Sequence, residues 1–253
     1  MREETQVLVE EKPKRVSKSG RRELIGERAG KCFYHSEKSD HIIQEFTTSS
    51  PENGKKKIST KELCALRNDI SSYLFEYLNG FRIPSHFVSK LTDTEMMIKQ
   101  TEYIPITVKV YNYANGTLVK RFSLKERIAL EFPVIEHFYA LSNGTPSWVN
   151  EYHLYMLGVV TPEEFKQINR IASKTNAVLR GLCDRRHLVL ADLQLGFGRH
   201  KGQILLSDEL SPFTCHFIDS ATNGHREKDR FLPDREDAIQ SLSELRDRLK
   251  LKI

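Results

Sequence analysis

The chain lacks any long hydrophobic run: nowhere in its 253 residues do about 18 apolar residues follow one another, the length that a membrane-spanning helix needs. Residues 1–22 are rich in charge and contain no apolar stretch typical of a secretory signal. We therefore interpret residues 1–22 as a flexible charged tail. A cytoplasmic protein with no membrane partner is expected.

Cysteine is scarce, with four residues spread over the chain and no Cys-x-x-Cys pair. A structural zinc site needs closely spaced ligands, so none is expected. In a chain without a secretory signal, the cysteines are predicted to be reduced thiols. The P-loop and the Gly-x-Gly-x-x-Gly turn are also missing from the sequence, which excludes the two commonest phosphate-binding motifs.

The charge balance is mixed, with 39 basic and 34 acidic side chains and a net charge of +5. A slightly basic solvated surface is the simplest interpretation, and a small phosphate-bearing ligand is the next. Nucleic acid is not predicted, because the basic residues are interleaved with acidic ones. The length suits one large domain or two closely joined lobes.

The amino-terminal third of the sequence combines strand and helix patterns. Residues 22–46 are typical of strands around glycine-bearing turns. Residues 47–57 are predicted to form a polar loop that ends in three lysines. We interpret these lysines first as an exposed charge run and only second as a phosphate contact. Thr60 is placed to cap a helix that Gly80 ends, because leucine and isoleucine recur between them at helical spacing.

The rest of the sequence adds further strands and helices. Thr161, Pro162 and Glu164 form the pattern of a capped helix start. The other predicted elements are a strand over residues 104–113, a buried strand over residues 187–195, a hairpin turn at Lys201 and Gly202, and a last helix from Ala238 to Leu249. This mixture of elements indicates an α+β protein.

Four segments of the sequence, in this order, resemble motifs of one enzyme family. They are residues 103–121 (YIPITVKVYNYANGTLVKR), 190–198 (LADLQLGFG), 206–212 (LSDELSP) and 228–231 (KDRF). On these motifs the chain resembles the SAICAR synthetase (phosphoribosylaminoimidazole-succinocarboxamide synthase) family along almost its whole length.

The resemblance implies a two-lobed α+β fold. A small sheet-rich amino-terminal lobe (residues 23–105) and a larger carboxy-terminal lobe (residues 106–253) would enclose a nucleotide cleft. The implied reaction uses ATP and Mg²⁺ to ligate L-aspartate to carboxyaminoimidazole ribotide, an amide-forming step of de novo purine biosynthesis. Small-molecule nucleotide substrates are the expected partners, nucleic acid is not, and a homo-oligomer is compatible with the pattern.

The residue roles that the matched motifs imply fall into three sets. Lys31 and Lys99 are predicted to contact the nucleotide, and Asp208 to hold the metal. The predicted substrate-binding residues are Asn112, Gly116, Thr117, Lys120, Arg121, Lys228 and Asp229. No catalytic residue is assigned. A solvated turn at Asp208 and Glu209 is an equally good interpretation of that segment.

The chain departs from the family motifs where they carry charge. Gly196 stands in place of a metal-binding glutamate, and Gln194 in place of a lysine. Three motif arginines are replaced by Tyr111, His216 and Leu232, and a motif aspartate is replaced by Phe213. Arg28-Ala29 stands where the phosphate loop of the family has Gly-Lys. These side chains cannot replace a bidentate arginine or a metal carboxylate.

Three functions are therefore compatible with the sequence. The first is a divergent SAICAR synthetase. The second is a catalytically impaired relative that acts as a nucleotide-binding or regulatory protein. The third is a ligase on the same scaffold with a changed acceptor.

Overall fold

The computed structural model describes residues 22–47, 61–140, 146–220 and 229–251. The strands in these residues are β1 (Leu24–Arg28), β2 (Lys31–His35), β3 (His41–Phe46), β4 (Phe87–Lys90), β5 (Glu95–Lys99), β6 (Glu102–Tyr113), β7 (Ala129–Ala140), β8 (Pro146–Val149), β9 (Leu188–His200), β10 (Gln203–Ser207) and β11 (Cys215–Asp219). The helices are α1 (Lys61–Gly80), α2 (Gly116–Phe122), α3 (Glu151–Met156), α4 (Pro162–Asp184) and α5 (Ala238–Lys250). The predicted α+β class is confirmed.

The first sheet is antiparallel, with strand order β1-β2-β3-β5-β4. Helix α1 covers one face of it and buries Ile70, Leu74 and Leu78, which recur at four-residue spacing and so lie on one side of the helix. The strands supply the opposing apolar layer through Phe46 and Met96. Burying these side chains is the main source of stability for this half of the molecule.

The second sheet has the order β10-β9-β6-β7-β8, and β11 pairs with the other part of β9. Long strands β6 and β9 form its centre and run antiparallel. Helix α4 packs on it through a buried apolar face that includes Ile168, Ala172 and Leu179. Helix α5 packs against α1, so the helices connect the layers on the two sheets.

The two sheets meet at β10. The N–H of His86 donates to the carbonyl of Leu206 (2.9 Å), and the N–H of Leu206 donates to the carbonyl of Pro84 (3.0 Å). Ser85 and Leu206 form the bridge between the segment that precedes β4 and strand β10. Side chains from β2 and from the end of β10 are thereby brought together.

Several predicted elements are confirmed with different bounds. Helix α4 begins with the predicted capping box between Thr161 and Glu164. The hairpin after β9 turns at Lys201 and Gly202, both with left-handed backbone. Strand β9 continues five residues past the predicted end at Leu195, because β10 pairs with the segment from Gly196 to His200.

Other expectations fall on parts of the chain that the structure does not describe. Thr60, predicted to cap α1, and nearly all of the predicted tail lie outside the described residues. The division at residue 105 stays a prediction, and β6 (Glu102–Tyr113) runs across it. Within the described residues, the helices are too short or too polar to cross a membrane.

Candidate functional site

Lys31 and Asp208, predicted to contact a nucleotide and a metal, meet in the structure although 177 positions separate them. Lys31 opens β2 directly after a turn in which Ala29 and Gly30 have positive φ. Its side chain is buried, and its ammonium donates to the carboxylate of Asp208 and lies 3.4 Å from Oε2 of Glu209. The fold therefore brings Lys31 and Asp208 together, and their roles toward a nucleotide and a metal stay predictions.

Glu209 is a buried carboxylate with three partners. Nη2 of Arg67, on α1, donates to its Oε2 at 2.7 Å, and the hydroxyl of Ser211 donates to its Oε1 at 2.9 Å. The guanidinium of Arg67 also lies 4.1 Å from the ring centroid of Phe213. These contacts, together with the ammonium of Lys31, compensate for removing the carboxylate from water.

His86 lies beside this pair and is 2% exposed. Burial lowers its pKa to about 3, which keeps the imidazole neutral. Its Nε2 has no hydrogen-bond partner within the described residues. Burial also disfavours the charged form of Asp208, but the charges of Lys31 and Arg28 outweigh that effect and lower its pKa. We call Lys31, Arg67, His86, Asp208 and Glu209 the Lys31 cluster.

Position 196 adjoins Asp208 across the β9–β10 hairpin. A Cβ added to Gly196 would lie 3.0 Å from the Cβ and 3.5 Å from Oδ2 of Asp208. A side chain at this position would therefore begin in tight contact with Asp208, whose side chain would have to shift by a few tenths of an ångström. Within the part of the chain that the structure describes, no group of three His, Cys, Asp or Glu residues is placed to hold a metal ion.

The donor set of the Lys31 cluster does not fit a Mg²⁺ ion. Magnesium takes an octahedral set of oxygen ligands, usually several waters and substrate phosphates with one or two protein carboxylates. Here Oδ1 of Asp208 accepts from Lys31, and the oxygens of Glu209 accept from Arg67 and Ser211. A metal that used both acids would have to compete with protein cations at each of them.

Two further cations lie near the cluster. Lys99 ends β5, and its ammonium lies 3.4 Å from the carbonyl of Ser85, the residue before His86. Arg28, at the end of β1, stacks its guanidinium 4.1 Å from the ring centroid of Tyr103.

A second polar cluster forms on the second sheet. Asp192 of β9 lies 3.5 Å from Nζ of Lys109 and accepts from Nδ2 of Asn115 at 2.7 Å. Nδ1 of His216, on β11, lies 3.4 Å from Asp192, and its Nε2 lies 3.2 Å from Asp229. We call Lys109, Asn115, Asp192, His216 and Asp229 the His216 cluster.

The pKa values in this cluster shift in opposite directions. Burial disfavours the charged form of His216, but the carboxylates of Asp192 and Asp229 outweigh burial and raise its pKa. Burial likewise disfavours the Asp192 carboxylate, but His216, Lys109 and Asn115 lower its pKa. The cluster therefore holds a charged carboxylate and favours a charged imidazole.

The two clusters lie along one face of the central strands. Asp192 and Gly196 are four positions apart on β9, so both positions lie on the same face of the strand. Their Cα atoms are about 13 Å apart at the usual rise of a β-strand. Exposed Gln194 lies between them and is paired with Lys109 on β6, while Tyr111 is paired with Asp192. Three of the replaced motif positions, 111, 194 and 196, therefore share one face of the sheet, where Gln194 is exposed and Tyr111 is fully buried.

The predicted substrate residues divide into exposed and buried groups. Gly116, Thr117, Lys120 and Arg121 are exposed on α2, a helix where the sequence predicted only a turn. The hydroxyl of Thr117 lies 3.0 Å from that of Tyr111, and Arg121 forms an ion pair with the buried Glu136.

The other predicted substrate residues have different settings. Asn112 is buried: its amide and that of Asn176 exchange two hydrogen bonds of 2.8 Å, and it also donates to the carbonyl of Leu190. This placement gives Asn112 a structural role and no open face for a substrate. Asp229 belongs to the His216 cluster, and Lys228 lies outside the described residues.

Sequence reasoning missed Arg67, His86, Lys109, Asn115 and Asp192. Arg67 lies on the apolar side of α1, and Asp192 lies inside a buried strand. Charged residues are seldom buried without a partner, so a charge within an apolar pattern was the signal that could have identified these two residues. Lys109 lies two positions before Tyr111 on β6, so its ammonium stacks 4.7 Å from that ring centroid.

Comparisons with known proteins show the family to which the chain is similar. A family model described as SAICAR synthetase matches residues 28–249. The phosphoribosylaminoimidazole-succinocarboxamide synthase of Clostridium perfringens is 36% identical over 229 residues, covering 90% of this chain and 97% of the relative. That of Chlorobium phaeobacteroides is 38% identical over 227 residues, covering 89% of this chain and 96% of the relative.

Solved structures give the same result. The synthase from Ehrlichia chaffeensis superposes with a TM-score of 0.81 at 29% identity, covering 91% of this chain and 99% of that one. A SAICAR synthetase in complex with ADP superposes with a TM-score of 0.80 at 31% identity, covering 89% of this chain and 97% of that one. The chain belongs to the SAICAR synthetase family.

Proposed function

We propose that this chain binds an adenine nucleotide at the Lys31 cluster and that its ability to ligate L-aspartate to carboxyaminoimidazole ribotide is strongly reduced. The observation that carries the proposal is the pairing of Lys31 with Asp208 beside Gly196. Lys31, the proposed phosphate contact, is held in place, but Gly196, which adjoins Asp208 across the hairpin, carries no carboxylate. Nucleotide binding is supported further by a structural relative that is in complex with ADP.

Slow ligation follows from what phosphoryl transfer requires. The family reaction activates a substrate carboxylate by transfer of the γ-phosphoryl group, a step that depends on positioning and on stabilising negative charge. When Mg²⁺ is bound in this family, it supplies part of that charge. Removing a single stabilising group typically costs on the order of a hundred-fold in rate. Here uncharged residues stand at positions 194, 196 and 111. Strand pairing places all three on the part of the sheet between the two clusters, where Tyr111 is fully buried.

A ligase with a changed acceptor is the second candidate, and the His216 cluster favours it. His216 stands where the family motifs have an arginine, and it forms a connected polar network with Lys109 and Asn115 around Asp192. A protonated His216 and the ammonium of Lys109 would offer an acceptor two separate cations in place of a planar guanidinium. Such a site would select an anionic acceptor with different spacing between its charged groups.

The test is a steady-state assay with ATP, aspartate and carboxyaminoimidazole ribotide, with detection of the amide product. We expect turnover at least about a hundred-fold below a typical enzyme's ~10 s⁻¹. The combined variant Gly196→Glu, Gln194→Lys and Tyr111→Arg should recover measurable ligation. Single restorations should do little, because groups that act as a unit are strongly non-additive.

The matched control is the combined variant Gly196→Gln, Gln194→Met and Tyr111→Phe, which changes bulk without adding charge. It should remain inactive. Turnover near 10 s⁻¹ in the unmodified protein would contradict the proposal. A panel of anionic amines and carboxylates, assayed by ADP release, separates the changed-acceptor ligase from a binding protein. A cytoplasmic location and a homo-oligomeric state remain predictions from the sequence and the family.

A further inference from the structure

The charge balance around Asp208 has a consequence for how a nucleotide is held. The carboxylates of Asp208 and Glu209 face two buried cations, Lys31 and Arg67, so these four groups neutralise one another. A site of this kind has no surplus negative charge with which to attract a divalent cation.

The surplus charge close to the cluster is positive. Arg28 lies near enough to Asp208 for its charge to lower the pKa of that carboxyl. The backbone N–H of Lys99 donates to the carbonyl of His86 at 2.7 Å, which places Lys99 beside the cluster. Within the described ranges, neither Arg28 nor Lys99 forms a salt bridge; Arg28 stacks on Tyr103, and Lys99 reaches only a carbonyl at 3.4 Å. An anion would gain these two cations without first displacing a carboxylate from them.

His86 adds a neutral polar group to this surface. Its imidazole is nearly fully buried against Phe75 and interacts with Asp208, yet its Nε2 has no partner within the described residues. Burial of an unmet polar atom is costly, so its lack of a partner needs an explanation. A neutral imidazole carries one N–H, and the backbone of Asp208 is already a hydrogen-bond partner of the ring, so Nε2 is free to accept from a water or from a hydroxyl of the ligand.

From these observations we propose that the cleft holds a nucleoside di- or triphosphate through protein cations alone, without a divalent cation. This inference rests on the proposed nucleotide binding. Lys31, Arg28 and Lys99 supply the positive charge for the phosphates. Lys31 is already oriented by Asp208, and an incoming phosphate shares its ammonium with that carboxylate. Free Mg²⁺ competes for the phosphate oxygens, and the protein carboxylates that it would meet are already paired with Lys31 and Arg67.

The test is titration calorimetry of the unmodified protein with ADP, once with EDTA and once with excess MgCl2. We expect ADP to bind in EDTA at least as tightly as with Mg²⁺. The Kd in EDTA should be equal to the Kd with Mg²⁺ or lower than it by no more than about threefold to tenfold. Arg28→Gln should weaken binding in EDTA by about tenfold, the effect of losing one charge-assisted contact of roughly 1.4 kcal/mol.

Gly196→Glu should reverse the preference, because it places a second carboxylate beside Asp208. Its binding of ADP should become at least about tenfold tighter with Mg²⁺ than with EDTA. Gly196→Gln is the matched control: it has the same bulk against Asp208 and should retain metal-independent binding. If the Glu variant does not fold, the comparison of EDTA and Mg²⁺ on the unmodified protein decides the question.

The possible outcomes separate this inference from the proposed function. Binding of ADP only in the presence of Mg²⁺ would overturn metal-independent binding and leave nucleotide binding intact. No binding of ADP or ATP under either condition would overturn both. Equal binding in EDTA and Mg²⁺ that is insensitive to Arg28→Gln and to Lys99→Gln would show that the phosphates lie elsewhere, and would also overturn the inference.

Discussion

The Lys31 cluster and the His216 cluster show two ways of holding charge on the same scaffold. The Lys31 cluster joins both sheets and helix α1, and its cations Lys31 and Arg67 are 3% and 7% exposed. The His216 cluster lies on the second sheet and its neighbouring segments, and Lys109, His216 and Asp229 retain side-chain exposures of 17–18%. Lys31, Arg67 and Glu209 of the first cluster are therefore part of the core, whereas the Asp208 side chain, 31% exposed, reaches the surface as the second cluster does.

This difference predicts how each cluster responds to the loss of a charged partner. In the Lys31 cluster a lost partner leaves a charge buried between two sheets, where water cannot replace it. In the His216 cluster, Asp192 has three polar neighbours, and solvent is close. We expect substitutions in the first cluster to lower the stability of the fold and to disturb the orientation of its side chains. We expect the second cluster to tolerate substitutions that change its charge.

The largest expected effect is on stability, from Arg67→Met. Removing the guanidinium leaves Glu209 with Ser211 and a 3.4 Å contact to Lys31, and should lower the free energy of unfolding by about 3–5 kcal/mol. Urea unfolding followed by circular dichroism measures it. Pairing the change with Glu209→Gln should cost less than the sum of the two single changes, because the uncompensated carboxylate is gone. Strict additivity would show that the ion pair does not act as a unit.

An intermediate effect is expected on the pH dependence of stability. The pKa of His86 is lowered to about 3, so the folded state binds fewer protons than the unfolded state below about pH 6.5. Its neutral burial therefore destabilises the fold increasingly as the pH falls from about 6.5 towards 3. The raised pKa of His216 has the opposite sign: its stabilising contribution is fully present below about pH 6.5 and is lost as the pH rises through the raised value.

The measurement is urea unfolding between pH 5 and pH 8 for His86→Gln and His216→Gln. Relative to the unmodified protein, His86→Gln should gain stability towards pH 5, with a slope of at most about 1.4 kcal/mol per pH unit. His216→Gln should lose stability towards pH 5 and approach the unmodified protein at the high end. Parallel curves for the two variants would remove the distinction between the clusters.

The smallest expected effect is that of Lys109→Met. The ammonium of Lys109 lies 3.5 Å from Asp192, which keeps Asn115 and His216 as partners, so the free energy of unfolding should fall by no more than about 1 kcal/mol. Lys109→Arg is the control for retained charge. A loss comparable with that of Arg67→Met would mean that the His216 cluster is as much a part of the core as the Lys31 cluster.

Much of the fold was accessible from the sequence because the signals were local. The capping box of Thr161 and Glu164 and the apolar spacing of α1 are encoded within a few residues of one another, and both elements were predicted. Strands β7, β8 and β11 and helices α2 and α3 were not predicted, because their pairing partners lie far along the chain or their apolar pattern is weak.

Residue order alone is enough to predict the family, the α+β class and the positions where charged motif residues are replaced. The contacts of Lys31 with Asp208 and Glu209, the pairing of Arg67 with Glu209, and the position of His216 between two carboxylates become visible only in the folded chain. These partners are separated by 13 to 178 positions, and the contacts exist only because β2, α1, β9 and β11 converge on β10 and its neighbours. Charge pairing depends on distance in space, which residue order does not specify.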